Sequence, residues 1–116
     1  MKENLIQEKS FVFAVRIIKM YQHLTSEKKE FILTKQVLRS GTSIGANIEE
    51  ALGGSSKKDF TAKLRISYKE CRETKYWLRL LNETGYLNKE EFQSIFNDCD
   101  ELGKLLYSII NNIKTK

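Results

Sequence analysis

Residues 88–113 read NKEEFQSIFNDCDELGKLLYSIINNI, and within them Phe92, Ile95, Cys99, Leu102, Leu106, Ile109 and Ile113 recur at alternating steps of three and four. That spacing collects the apolar side chains on one face of a helix. Asn88 and Glu91 stand three residues apart at its start, the arrangement in which each side chain caps the other's backbone amide. A seam this narrow and continuous is the packing edge of a bundle helix.

The preceding segment repeats the pattern. Ser56 and Asp59 resemble a capping box with Asp in place of Glu. Phe60, Leu64, Ser67, Cys71, Thr74, Leu78 and Leu81 then form a four-three seam that Asn82-Glu83-Thr84-Gly85 interrupts. Two further helical segments precede these. The first runs from about Asn4 or Ser10 to Leu24. Its predicted core face is Phe11, Ala14, Val15 and Ile18, widened by Ile17, Met20, Tyr21 and Leu24. Thr25-Ser26-Glu27 breaks it, with Ser26 as predicted cap and Glu27 on the positive end of the second helix. That helix is expected over Lys28 to Leu52, ended by Gly53-Gly54 in left-handed conformation. Four helices of roughly 20 to 28 residues joined by short turns predict an all-α, antiparallel up-down four-helix bundle. No composition shift, long linker or internal repeat divides residues 1–116, so a single domain is expected.

Composition supports one apolar core in 116 residues: 41% are hydrophobic, and proline, which breaks helices, is absent. The early acid in Met1-Lys2-Glu3-Asn4-Leu5 and the short apolar run Phe11–Val15 fit neither a signal peptide nor a membrane span, so a cytoplasmic chain with no membrane partner is expected. In that compartment Cys71 and Cys99 read as reduced, buried thiols.

The formal charge of +5 is unevenly placed. Lys57 to Arg79 holds eight basic and three acidic residues, whereas the remainder is balanced at twelve of each. Lys58, Ala62, Arg65, Lys69, Arg72, Tyr76 and Arg79 keep the four-three spacing but lie ~200° around the helix from the seam. A basic stripe with one aromatic is thus predicted to face outward. Lys58, Arg65, Lys69, Arg72 and Arg79 are candidate phosphate contacts, and Tyr76 is a candidate base-stacking ring. The plain alternatives are a solvated face, or a face whose cations pair with acids of a neighbouring subunit.

Arg39-Ser40-Gly41-Thr42-Ser43-Ile44-Gly45-Ala46-Asn47 places two glycines inside a helix, at ~1 kcal/mol each relative to alanine. Close packing should compensate, with Trp77 or Tyr68 as expected partners. A phosphate-cradling loop does not fit, because no Gly-x-Gly pattern follows a strand. Arg39, Ser43, Asn47 and Glu50 are expected to form a buried network with Glu70 and Glu73, a device that favours one register.

Catalytic and metal chemistry finds little purchase. Di-iron bundles use Glu-x-x-His on two helices, and the lone His23 supplies no such pair. Glu70 and Glu73 share a face but neighbour Lys69 and Arg72, which favours salt bridging over acid–base work. Cys71 sits in the seam and reads as inert. The expectation is a protein that is not an enzyme and carries no cofactor.

Gln36-Val37-Leu38-Arg39-Ser40-Gly41-Thr42-Ser43-Ile44-Gly45-Ala46-Asn47-Ile48-Glu49-Glu50-Ala51, together with Lys58 to Thr74 (KDFTAKLRISYKECRET), resembles the four-helix-bundle proteins encoded within intervening sequences of 23S ribosomal RNA genes and their free-standing relatives. Many members have proline in place of Gly45 and glycine in place of Ala51, and this chain is similar to the branch that has neither. The resemblance implies a homo-oligomer, specifically a five-fold ring of bundles. It also implies kinship with a basic pentameric accessory protein of diversity-generating retroelements that engages a reverse transcriptase and nucleic acid. It supplies no catalytic residue. Self-association has a reading from residues too, since the wide apolar face of the first helix and the exposed-looking Phe13, Tyr76, Trp77 and Leu80 exceed the needs of one seam. Two functions are therefore expected to compete. One is a non-enzymatic oligomer binding structured RNA or DNA through the third helix. The other is an interaction scaffold docking an acidic protein partner.

Overall fold

The computed structural model describes residues 2–114, with side chains from residue 5 to residue 113. Met1, Thr115 and Lys116, which the single-domain reading includes, lie outside the described residues. Among the described residues four helices make up the fold: α1 (Lys2–Ser26), α2 (Leu33–Leu52), α3 (Lys57–Glu83) and α4 (Lys89–Lys114). The three connections hold six, four and five residues, which is too short to carry the chain back along a helix, so consecutive helices run antiparallel. Each helix packs against the two beside it, α2 against α3 most extensively and α1 against α4 least. The resulting rod measures 47 × 21 × 19 Å.

The α3 and α4 seams form as their spacing predicts. Leu64, Ser67, Cys71, Thr74, Leu78 and Leu81 are buried on α3, and Ile95, Cys99, Leu102, Leu106 and Ile109 on α4, with Phe60, Phe92 and Ile113 half-buried at the ends. Both predicted caps are present. Ser56 Oγ accepts from the Asp59 amide at 3.0 Å. Asn88 and Glu91 cap one another reciprocally, at 2.8 and 2.9 Å. Cys71 and Cys99 are free thiols buried face to face across α3 and α4, Sγ to Sγ 3.6 Å. One thiol donates to the other, and each sulfur also lies within reach of the other residue's carbonyl, at 3.1 and 3.4 Å. The hydrogen bond with Cys71, and burial, push the Cys99 thiol far above its ordinary range.

On α1 the structure corrects the predicted face. Ile6, Ser10, Phe13, Ile17 and Leu24 point inward, whereas Phe11, Val15 and Ile18, expected in the core, are exposed. Phe13 is buried rather than exposed, and Trp77 and Leu80 are half-buried; only Tyr76 keeps its expected exposure. The reason lies on α2. A Cβ added to Gly41 would come within 2.9 Å of Ile17 Cγ1, and one added to Gly45 would meet Ser10 Oγ at 3.3 Å. The glycines therefore seat α1, not Trp77 or Tyr68 of α3. Their missing methyl groups choose which of two apolar stripes on α1 turns inward.

The start of α2 also differs. Helix α1 continues to Ser26, so Ser26 and Glu27 cap nothing, and the chain turns through Lys29 at φ 56°. The buried Glu30 carboxylate then accepts from the amides of Ile32, Leu33 and Thr34 at 2.7–3.1 Å. A full negative charge thus meets the positive end of the helix. At its other end Gly53 keeps φ −91°, so α2 terminates without the expected left-handed glycine. Gly54 is needed for space instead, since an added Cβ would lie 2.8 Å from Asp59 Oδ2 and 3.1 Å from the Ala51 carbonyl.

Gly41→Ala is accordingly expected to destabilise the protein by up to about 2 kcal/mol net, because an overpacking cost of about 1–3 kcal/mol against Ile17 exceeds the ~1 kcal/mol gain in helix propensity. Chemical denaturation of the two proteins measures the difference. A more stable variant would refute this account of the α1–α2 contact.

Candidate nucleic-acid interface

Helix α3 divides into a buried seam, two flanks and an outer face. On the α2 flank, Lys63 pairs with Glu50 at 2.8 Å. Nearby, Arg39 of α2 reaches Glu73 at 2.8 Å, and Trp77 Nε1 donates to the same Glu73 oxygen at 3.0 Å. On the α4 flank, Lys75 meets Asp100 at 2.6 Å, and Lys104 reaches the other oxygen of that carboxylate at 3.2 Å. The two lysines hold the Asp100 carboxyl below the usual carboxylate range through these hydrogen bonds.

The outer face carries Lys58, Arg65, Lys69, Arg72, Tyr76 and Arg79, and all six are exposed. Among the described residues, none of those five cations has a carboxylate within 4.0 Å. The six candidates thus stand together on one side of one helix, as the spacing predicts. Tyr76 is 53% exposed, and its ring meets Trp77 edge-on at 5.2 Å between centroids. A row of unpaired cations that releases counterions on meeting phosphates is suited to a polyanion.

Sequence reading did not find the groove beside this face. Tyr68 of α3 and Tyr107 of α4 lie 6.2 Å apart between ring centroids, tilted by 41°. Two concavities meet at this pair, of about 330 and 210 Å³. Arg72, Lys75 and Lys104 rim the larger, and Arg65 and Lys69 the smaller. No periodicity within one helix signals such a groove, because it exists only where α3 and α4 meet.

The expected buried network does not form. Arg39 does meet Glu73, but at the surface, and Glu50 is taken by Lys63. Asn47 donates to the Ser43 carbonyl within α2. The buried polar contacts use other residues: Thr74 Oγ1 donates to Ser40 Oγ at 2.9 Å, and Ser67 Oγ to the Ile44 carbonyl at 2.8 Å. Glu70 Oε1 is buried with no hydrogen-bond partner among the described residues. Burial first, and the Glu73 charge second, raise its carboxyl above the usual range. Among the described residues no group of three or more His, Cys, Asp or Glu is placed to hold a metal ion, and no helix is long and apolar enough to cross a membrane.

Residues 2–108 match the model of the family described as 23S rRNA-intervening sequence protein. The chain is also similar to a crystal structure from Bacteroides thetaiotaomicron VPI-5482, of a protein with unknown function from the S23 ribosomal protein family. The two share 54% identity and superpose with a TM-score of 0.95, over 96% of this chain and 99% of that one. No curated protein matches the chain.

The raised Glu70 carboxyl has a measurable consequence. The folded protein binds this proton more tightly than the unfolded chain, so stability is lost as pH rises from the ordinary carboxylate range through the raised folded value. Glu70→Gln removes that loss. The variant is expected to melt above the parent at pH 7, with the gap closing near pH 4. Thermal melts across this range test it, and a parent that gains on the variant with rising pH would contradict it.

Proposed function

This chain belongs to the 23S rRNA-intervening sequence protein family, and from that premise we propose that it works without catalysis, binding structured RNA or DNA along the outer face of α3. One observation carries the reading. The α3 lysines on the flanks, Lys63 and Lys75, have partner carboxylates, whereas Lys58, Arg65, Lys69, Arg72 and Arg79 on the outer face have none among the described residues. A structural salt-bridge network would use its arginines; here all three arginines of α3 face solvent. Arginine also matches phosphate with two parallel donors, which lysine does not.

The exposed edge of α1 supports self-association. Phe11 is 67% exposed and Val12 54%, with Val15 and Ile18 beside them on the same side of the helix. A contiguous apolar strip of this kind is characteristic of a subunit contact. In this reading copies meet through α1 and leave α3 free to bind; the number of copies, five, comes from the family resemblance.

Affinity for a stem-loop RNA or duplex DNA, followed by fluorescence anisotropy, should fall steeply with salt, with a log–log slope of about −3 to −5 for the phosphates these cations neutralise. Changing Arg65, Lys69, Arg72 and Arg79 together to Glu should abolish binding, and retained binding would defeat the proposal. Material captured from a lysate that survives nuclease treatment would favour an acidic protein partner instead. Light scattering coupled to size exclusion should give a multiple of 13.5 kDa. The Phe11→Ser, Val15→Asp double variant should give the monomer; a parent that is itself monomeric would remove α1 from this account.

A further inference from the structure

We propose that the groove between α3 and α4 is a cleft for single-stranded nucleic acid, in which an unpaired base stacks on Tyr107 while the flanking phosphates lie against Arg65, Lys69, Arg72 and Lys104. This deepens, and rests on, the polyanion reading of α3. Tyr107 extends the surface beyond the α3 face. Its ring belongs to α4, is 58% exposed, and leans on the half-buried Tyr68. At 6.2 Å between tilted centroids the pair leaves no room for a base between the rings, so stacking uses the outer face of Tyr107, with Tyr68 as its support.

The surroundings match a strand more than a small ligand. The two concavities run end to end on either side of the tyrosine pair, which suits a linear chain with a base at the centre and a phosphate on each side. Arg65 and Lys69 line one end, and Arg72 and Lys104 the other. Among the described residues Asp100 is the sole carboxylate lining either concavity, and Lys75 and Lys104 already bind its two oxygens. Gly103 and Cys71 form part of the floor of the larger concavity, where a Cβ on Gly103 would lie 3.3 Å from Cys71 Sγ. Asn111, at the far end, offers an amide donor and acceptor for a base edge.

Single strands are selected by the stacking. Every base has a face that an aromatic ring can cover, but in a duplex those faces are occupied by neighbouring bases and must first be freed. The α3 cations alone attract both forms.

The test compares the full chain's affinity for a fluorescent oligothymidylate of about 12 nucleotides with that for a duplex of equal length, at one salt concentration. Tyr107→Ala is expected to weaken binding of the oligothymidylate about ten-fold and of the duplex less than about two-fold, while Tyr107→Phe keeps the parent's affinity for both. Because Tyr107 is exposed, the alanine variant should keep the parent's circular dichroism and melting behaviour. Equal effects on the two probes, or none on either, would overturn the cleft. If the four-residue charge reversal abolishes binding while Tyr107→Ala changes nothing, the cleft falls and the α3 face stands. If the reversal leaves both affinities intact, both readings fall.

Discussion

The circumference of α3 is the constraint on which the rest depends. A helix of 27 residues that sits between two neighbours has one strip for the core and two flanks for those neighbours. Leu64, Cys71, Leu78 and Leu81 fill the first, while Glu50 and Asp100 neutralise a lysine on each flank. What remains has no carboxylate partner among the described residues, and it holds the surplus of positive charge. The distinction between Lys63 and Lys69 is therefore one of rotation about the helix axis, not of residue type.

Where one stripe of a helix is apolar and the opposite one polar, spacing alone fixes the fold. That holds for α3 and α4, whose seams and caps are legible residue by residue. It fails on α1, where Phe13 and Ile17 compete with Phe11, Val15 and Ile18. Both stripes are apolar, and spacing within α1 cannot choose between them; the stripe that turns inward is the one that places Ile17 and Ser10 against Gly41 and Gly45 of α2. The start of α2 is obscure for a different reason. Its cap is Glu30, a carboxylate reaching forward over two to four residues from a turn through Lys29, rather than a serine at the boundary.

The candidate site divides along the same line. Lys58, Arg65, Lys69, Arg72, Tyr76 and Arg79 lie on one helix, so their shared face follows from four-three spacing. Tyr68 and Tyr107 lie 39 residues apart on different helices and come together only through the pairing of α3 with α4. The thiols of Cys71 and Cys99 and the missing side chain of Gly103 fix that pairing at close range. Sequence periodicity reports the faces of single helices and is silent about the grooves between them.

The glycines of α2 reach further than the contact they make. Each residue along a helix turns the chain by ~100°, so a slip of α1 by a single position would swing Phe13 out to water and carry Phe11 or Val12 toward the interior. The composition of the molecule would be unchanged and its exterior would not. Two absent methyl groups, at Gly41 and Gly45, thus decide which greasy edge the rod shows to its surroundings, and an alteration deep inside the hairpin would be felt first as altered stickiness.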